Sequence, residues 1–309
     1  MTGTSENVMP SGEQHEIRYG DQRAVVVEVG GGLRTYETEQ GPVLDGYAVD
    51  EVCSGGRGQP LIPWPNRLKD GTFEFGGGTH QLPLTEAAAG NAIHGLLRWA
   101  NWTVAGHDAN RVVVEQILHP QPGWSWPLAV AIEYSLDEGG LTVTTTATNV
   151  GREPCPYGAG QHPYLTLGDP SIDRLVLRAP GQHYLEADER GIPVSIHDVR
   201  ETRFDYSEAR ELGAATLDTG YTDLRRDDDG LARVTLESPD SGRRATLWLD
   251  GAYGYLMLFT GDTLAPGARR RGLAVEPMTC APNAFQSGDG LVVLQPGASH
   301  TARWGITPG

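Results

Sequence analysis

The chain has 309 residues, enough to bury a core without disulfide staples, and fits two ordinary domains or one large all-β domain. Its 40 acidic and 24 basic residues give a formal net charge of −16, so like-charge repulsion disfavours nucleic acid and anionic membrane as partners. Cys53, Cys155 and Cys280 are odd in number and widely spaced with no C-x-x-C, a pattern of reduced cytosolic thiols rather than a disulfide framework or zinc knuckle.

The N-terminus, MTGTSENVMPSGEQHE, is polar and carries acids. It lacks the basic start and apolar stretch of a signal peptide. Residues 1–14 are expected to form a flexible tail, followed by one domain over 15–309. No apolar run nears the ~20 residues that a bilayer span needs, so a cytoplasmic, soluble chain is expected.

Short β-branched segments then follow one another. RAVVVEV (23–29), RVVVEQIL (111–118), AVAIEYSL (129–136) and LTVTTTAT (141–148) all read as strands. LDEGG joins the last two with the length and chemistry of a hairpin turn. DRLVLRA (173–179), ARVTLES (232–238), RATLWLD (244–250), GYLMLFT (254–260) and GLVVLQP (290–296) continue the series. Helical signals are scarce, and YSEARELG (206–213) alone has room for two turns. Many short strands with 41 glycines and 21 prolines as punctuation predict an all-β sandwich or barrel.

Four polar residues stand in apolar or glycine- and proline-rich settings. Glu276 ends an apolar run in LAVEPMTCAPNAF. A buried carboxylate must be paired or have its pKa raised, and a raised pKa suits a general base near neutral pH; the plain alternative is a strand-end glutamate reaching solvent. His162, in GAGQHPYLTL, is biased to extended backbone by Pro163. Gly158 and Gly160 upstream suggest close approach of a ligand. Its imidazole can give and retake a proton, or can simply bond within a turn. His94 lies in NAIHGLL, either aimed into a polar pocket with Gly95 leaving room for a ligand, or buried against a backbone carbonyl. Arg67, in IPWPNRLKDG, can hold hydroxyls or a carboxylate, or make a surface ion pair.

Other chemistries lack their signatures. Two histidines and a glutamate form a possible metal set, but no H-x-H, H-E-x-x-H or H-x-D spacing supports one, and no metal is expected. G-x-S-x-G, the phosphate-binding G-x-x-x-x-G-K-[ST] and a post-strand G-x-G-x-x-G are likewise missing from the sequence.

The segments PWPNRLKDGTFEFGGGTHQLPLTE, GNAIHGLLR, GQHPYLTL, LDTGYTDL and LAVEPMTCAPNAF, in that order over residues 63–285, are similar to the aldose 1-epimerase (galactose mutarotase) family. The resemblance implies a large antiparallel β-sandwich, the galactose mutarotase-like supersandwich, with a sugar on its concave face. It implies interconversion of the α and β anomers of a free aldohexose without a cofactor. It assigns His162 as general acid toward the ring oxygen and Glu276 as general base toward the C1 hydroxyl. Asn66, Arg67 and His94 match sugar-binding positions. An aspartate of that role falls on Asp218 or Asp223, and Tyr164 is a further candidate to face the sugar. Trp64, Tyr164 and Phe285 are aromatic rings available to a sugar face, with core packing the alternative.

Two rival readings remain at this level. A hexose-6-phosphate 1-epimerase would use basic residues at the cleft mouth, and Arg269, Arg270 and Arg271 are such a run. A non-catalytic sugar-binding module would keep the pocket and lose the acid or base. The partner expected in every case is a small monosaccharide, with the protein a monomer or homodimer.

Overall fold

Leu128, Val130, Ile132, Tyr134 and Leu136 are buried, and the residues between them are partly exposed. That alternation makes Leu128–Asp137 a strand with one face on a core. The computed structural model describes residues 8–309. In it this strand pairs antiparallel with Arg111–Leu118 on one side and Gly140–Asn149 on the other. The expected hairpin turn is closed by Gly139 N, which donates to Asp137 Oδ1 at 2.7 Å.

These strands belong to a nine-stranded antiparallel sheet running from Thr103–Asp108 at one edge to Arg210–Glu211 at the other. The last strand of the chain, Ser299–Pro308, lies inside it, between Gly140–Asn149 and Arg244–Leu249. A second, eight-stranded sheet carries Pro193–Asp198, Gly181–Ala187, Asp218–Leu224, Tyr255–Phe259, Leu273–Met278, Gly160–Gln161 and Pro60–Leu61 in spatial order, with Tyr164–Leu165 also on Leu273–Met278. A four-stranded sheet is built from residues 14–42.

One contiguous core joins the two large sheets. Val112, Ile132, Val143 and Trp304 of the first meet Leu256, Leu258, Leu273 and Val275 of the second. Face-to-face sheets around one apolar layer are the expected β-sandwich. The alternate residues of the eight-stranded sheet therefore point away from that core.

Two expectations are corrected. Residues 206–213 form no helix: Arg210–Glu211 pairs with Val176–Arg178 at a sheet edge, and Tyr206 and Leu212 are buried. Sheet pairing and burial override a weak helical preference. The expected tail 1–14 lies partly outside the described residues, and its described end is not loose. Ser11 is buried and its carbonyl accepts from Val29 N at 3.0 Å, while strand Gln14–Tyr19 has already begun at residue 14. The only α-helix among the described residues is Ala284–Ser287, and no helix is long and apolar enough to cross a membrane.

Candidate active site

Strand register assembles the site. Gly160 pairs with Met278 and Tyr164 with Ala274, so His162 comes opposite Glu276, midway between those pairs. On the other side of the same strand Met257 pairs with Glu276, and Gly220 pairs with Met257. Asp218 pairs with Phe259 one step along. With a period of two these residues share one face, opposite to Leu256, Leu258, Leu273 and Val275 in the core.

His162 Nε2 lies 3.3 Å from Glu276 Oε1. Both residues are buried, at 5% and 2% exposure. Glu276 does not reach solvent, because all six residues of Leu273–Met278 are buried, on both faces of the strand. Loops such as 53–58 cover the site face as the nine-stranded sheet covers the other.

His94 adopts left-handed backbone, φ 62°, as does Asn66, φ 56°. Asn and His tolerate that region better than most residues. The two lock together: His94 N donates to Asn66 O at 2.9 Å, and Asn66 N donates to His94 Nδ1 at 3.2 Å. An Nδ1 that accepts is unprotonated, so a neutral ring carries its proton on Nε2. That ring stands edge-on to His162, centroids 5.4 Å apart. Arg67 pairs with Glu86 at 3.0 Å and reaches Asp218 at 3.6 Å. Arg67, Glu86 and Asp218 line a cavity of ≈ 560 Å³ that Asp188, Arg190 and Arg203 also border.

Burial sets the charges. It raises the Glu276 carboxyl well above the usual carboxylate range; the nearby Asp218 charge adds to this and Arg67 opposes it. Burial lowers His162 to about 3, with the Arg98 and Arg57 charges acting the same way. His94 is also held well below its ordinary value by burial, then by His162. Glu276 Oε2 and His162 Nδ1 have no hydrogen-bond partner among the described residues. Perturbed titratable groups with unpaired buried polar atoms, side by side, mark a candidate functional site. Among the described residues no group of three or more His, Cys, Asp or Glu side chains is arranged to hold a metal.

The family model for aldose 1-epimerases matches residues 13–307. The chain belongs to the aldose 1-epimerase family. Within and around that family, the uncharacterized protein YihR of Escherichia coli (strain K12) is 32% identical over 295 residues, covering 95% of this chain and 92% of its own. The crystal structure of a GalM/aldose epimerase homologue from C. elegans superposes with a TM-score of 0.85 at 19% identity, covering 96% of this chain and 98% of its own. Galactose 1-epimerase from Lactobacillus acidophilus NCFM gives 0.76 at 18% identity, covering 96% and 99%. At these identities the two structures establish the shared fold.

In this epimerase-family chain, several sequence expectations fall differently. Asp223 lies at the far end of its strand with φ 51°, its carboxylate 2.8 Å from His183, and is not brought to Glu276; Asp218 is. The five-residue offset between them is odd, so a regular strand turns them to opposite faces. Gly95 makes room for protein, not ligand: a Cβ there would lie 2.0 Å from Ile62 O. Gly158 and Gly160 likewise pack on Cys280 and Pro65. Tyr164 stacks on His162, centroids 5.0 Å apart at 14°, and its hydroxyl donates to Gly55 O at 2.7 Å. Trp64 and Phe285 pack together in the core. Sequence reasoning missed Glu86, although it closes the PWPNRLKDG…PLTE segment as an acid within reach of Arg67. It also missed Met257 and Phe259, which only register places beside Glu276 and Asp218.

Proposed function

We propose that this protein interconverts the α and β anomers of a free aldohexose, of the galactose or glucose type, by general acid–base catalysis. The carrying observation is the buried His162–Glu276 pair, 3.3 Å apart, with an unpartnered polar atom on each side chain. His162 delivers a proton to the ring oxygen as the C1–O5 bond breaks. Glu276 removes the proton of the C1 hydroxyl, and the open aldehyde forms. Rotation about C1–C2 presents the other carbonyl face. The C5 hydroxyl then attacks C1, and both protons return by the same path.

Proton number is conserved throughout. Opening converts imidazolium and carboxylate to imidazole and carboxylic acid, and closure reverses it. The pair holds one proton in either form, so it is best treated as one coupled unit. Burial favours the neutral arrangement at rest, so the shared proton crosses from Glu276 to His162 over their 3.3 Å contact before the ring opens. Arg67, Asp218, Asn66 and His94 surround this pair as donors and acceptors for the remaining hydroxyls.

The arginine run that a phosphate would need is already engaged. Arg270 pairs with Asp173 and Asp262, and Arg271 pairs with Asp45. Arg269 donates to Leu264 O. This favours an unphosphorylated sugar.

The test is anomer exchange followed by NMR or polarimetry across an aldose panel with and without a 6-phosphate. Glucose or galactose is expected to exchange faster with the protein present. Glu276→Gln should slow that exchange by about 10²–10⁴-fold while sugar binding persists. A near-wild-type rate in Glu276→Gln removes it as the base, and activity confined to 6-phosphates overturns the substrate assignment.

A further inference from the structure

The His162 imidazole is gripped by a loop that the reaction does not otherwise use. In the segment 53–58, CSGGRG, Gly56 lies against the ring. A Cβ on Gly56 would lie 2.8 Å from His162 Cδ2, at a φ of +75°, so glycine is what permits this approach. Backbone bonds tie the loop to the histidine: Gly58 N donates to His162 O at 2.9 Å, and His162 N donates to Gln59 O at 3.1 Å. The Tyr164 ring that stacks on the imidazole is tethered to the same loop through Gly55 O.

Arg57 holds this assembly. Its guanidinium lies over the Tyr164 ring, 4.6 Å from the centroid. It is 4% exposed, and its Nε and Nη2 both donate to Asp45 Oδ2, at 3.1 and 2.9 Å. Its Nη1 donates to Ser54 O at 3.1 Å, within the loop. Arg271 closes on the other oxygen of Asp45 at 2.7 Å. Asp45 N donates to Tyr164 O at 2.9 Å, so the backbone contact that places the anion also places the ring.

A buried ion pair contributes little to stability over an apolar pair of similar size. Here it fixes a flat cation against a ring that is itself flat on the proposed acid. General acid catalysis needs that imidazole held to within a fraction of an ångström. We propose that Arg57 is a positioning residue for the reaction: anchored by Asp45, it presses Tyr164 and the 53–58 loop onto His162 and so aims Nε2 at Glu276 and the sugar. This rests on the assignment of His162 as the general acid.

Arg57→Lys tests it, because lysine keeps a charge beside Asp45 but loses the planar fork and the stack. The expected result is a kcat about tenfold lower, per folded molecule, with KM within about twofold. A wild-type kcat overturns the proposal, as does a loss carried by KM. Should Arg57→Lys not fold, Tyr164→Phe removes only the tether to Gly55 and is expected to lose kcat in the same way; full kcat in it overturns the clamp. If the wild-type chain speeds no anomer exchange, the assigned function fails instead. The clamp is then read without sugar from the ring ¹³Cε1 resonance of His162, sharp in the wild type and broadened or doubled in Arg57→Lys. An unchanged resonance overturns it.

Discussion

His94 shows how a residue's setting can be legible while its reason is not. The run NAIHGLL marks it as unusual, and the structure supplies the cause: a left-handed backbone that lets Nδ1 accept from Asn66 N. The glycine beside it serves Ile62, so Gly95→Ala should lower the Tm by about 5–10 °C or prevent folding, a scan that an unchanged Tm would contradict. Glu276 and His162 each oppose burial of charge, and linkage gives the sign. With its folded pKa raised above 4.5, Glu276 stays protonated in the native state where the unfolded chain has ionised, so its contribution to stability falls as pH rises. Glu276→Gln should therefore gain Tm over the wild type as pH rises above about 4.5, read from Tm-against-pH curves. His162, lowered from 6.5 to about 3, works in the opposite sense: the unfolded chain takes up its proton first, and stability is lost as pH falls through that window. The slope is up to about 1.4 kcal/mol per pH unit, and His162→Asn should flatten it in Tm-against-pH curves while slowing exchange strongly.

At the scale of elements, alternation makes Leu128–Asp137 readable, because one face is wet and one is dry. Leu273–Met278 is buried on both faces and carries no alternation, so which side Glu276 takes could not be read from it. The choice between Asp218 and Asp223 is likewise a matter of strand geometry. Asp218→Ala is expected to raise KM about tenfold, the cost of one charge-assisted hydrogen bond, and Asp223→Ala to leave KM within about twofold. Equal effects in steady-state kinetics would remove the register argument. The two turns that 206–213 has room for do not form, because a two-residue edge pairing and two buried side chains outweigh a marginal local preference.

For the whole molecule, the position of the last strand has a consequence. Ser299–Pro308 is interior to the nine-stranded sheet, bonded on both edges, and carries the buried Trp304 and Ile306. Deleting residues 299–309 would expose two sheet edges and open the core, so no cooperative thermal transition should remain by circular dichroism. A preserved transition would mean that the two large sheets hold without their central strand.

Composition, period-two patterning and turn chemistry by themselves determined the all-β class, most of the strands with a wet face and a short set of chemically unusual side chains. They did so because those signals are local. Only the tertiary structure decided that His162 and Glu276 meet, that Asp218 joins them, and that Arg57 stands behind the acid. Each of those contacts depends on register between segments far apart in the chain, and a shift of one residue in any pairing turns the side chains to the opposite face.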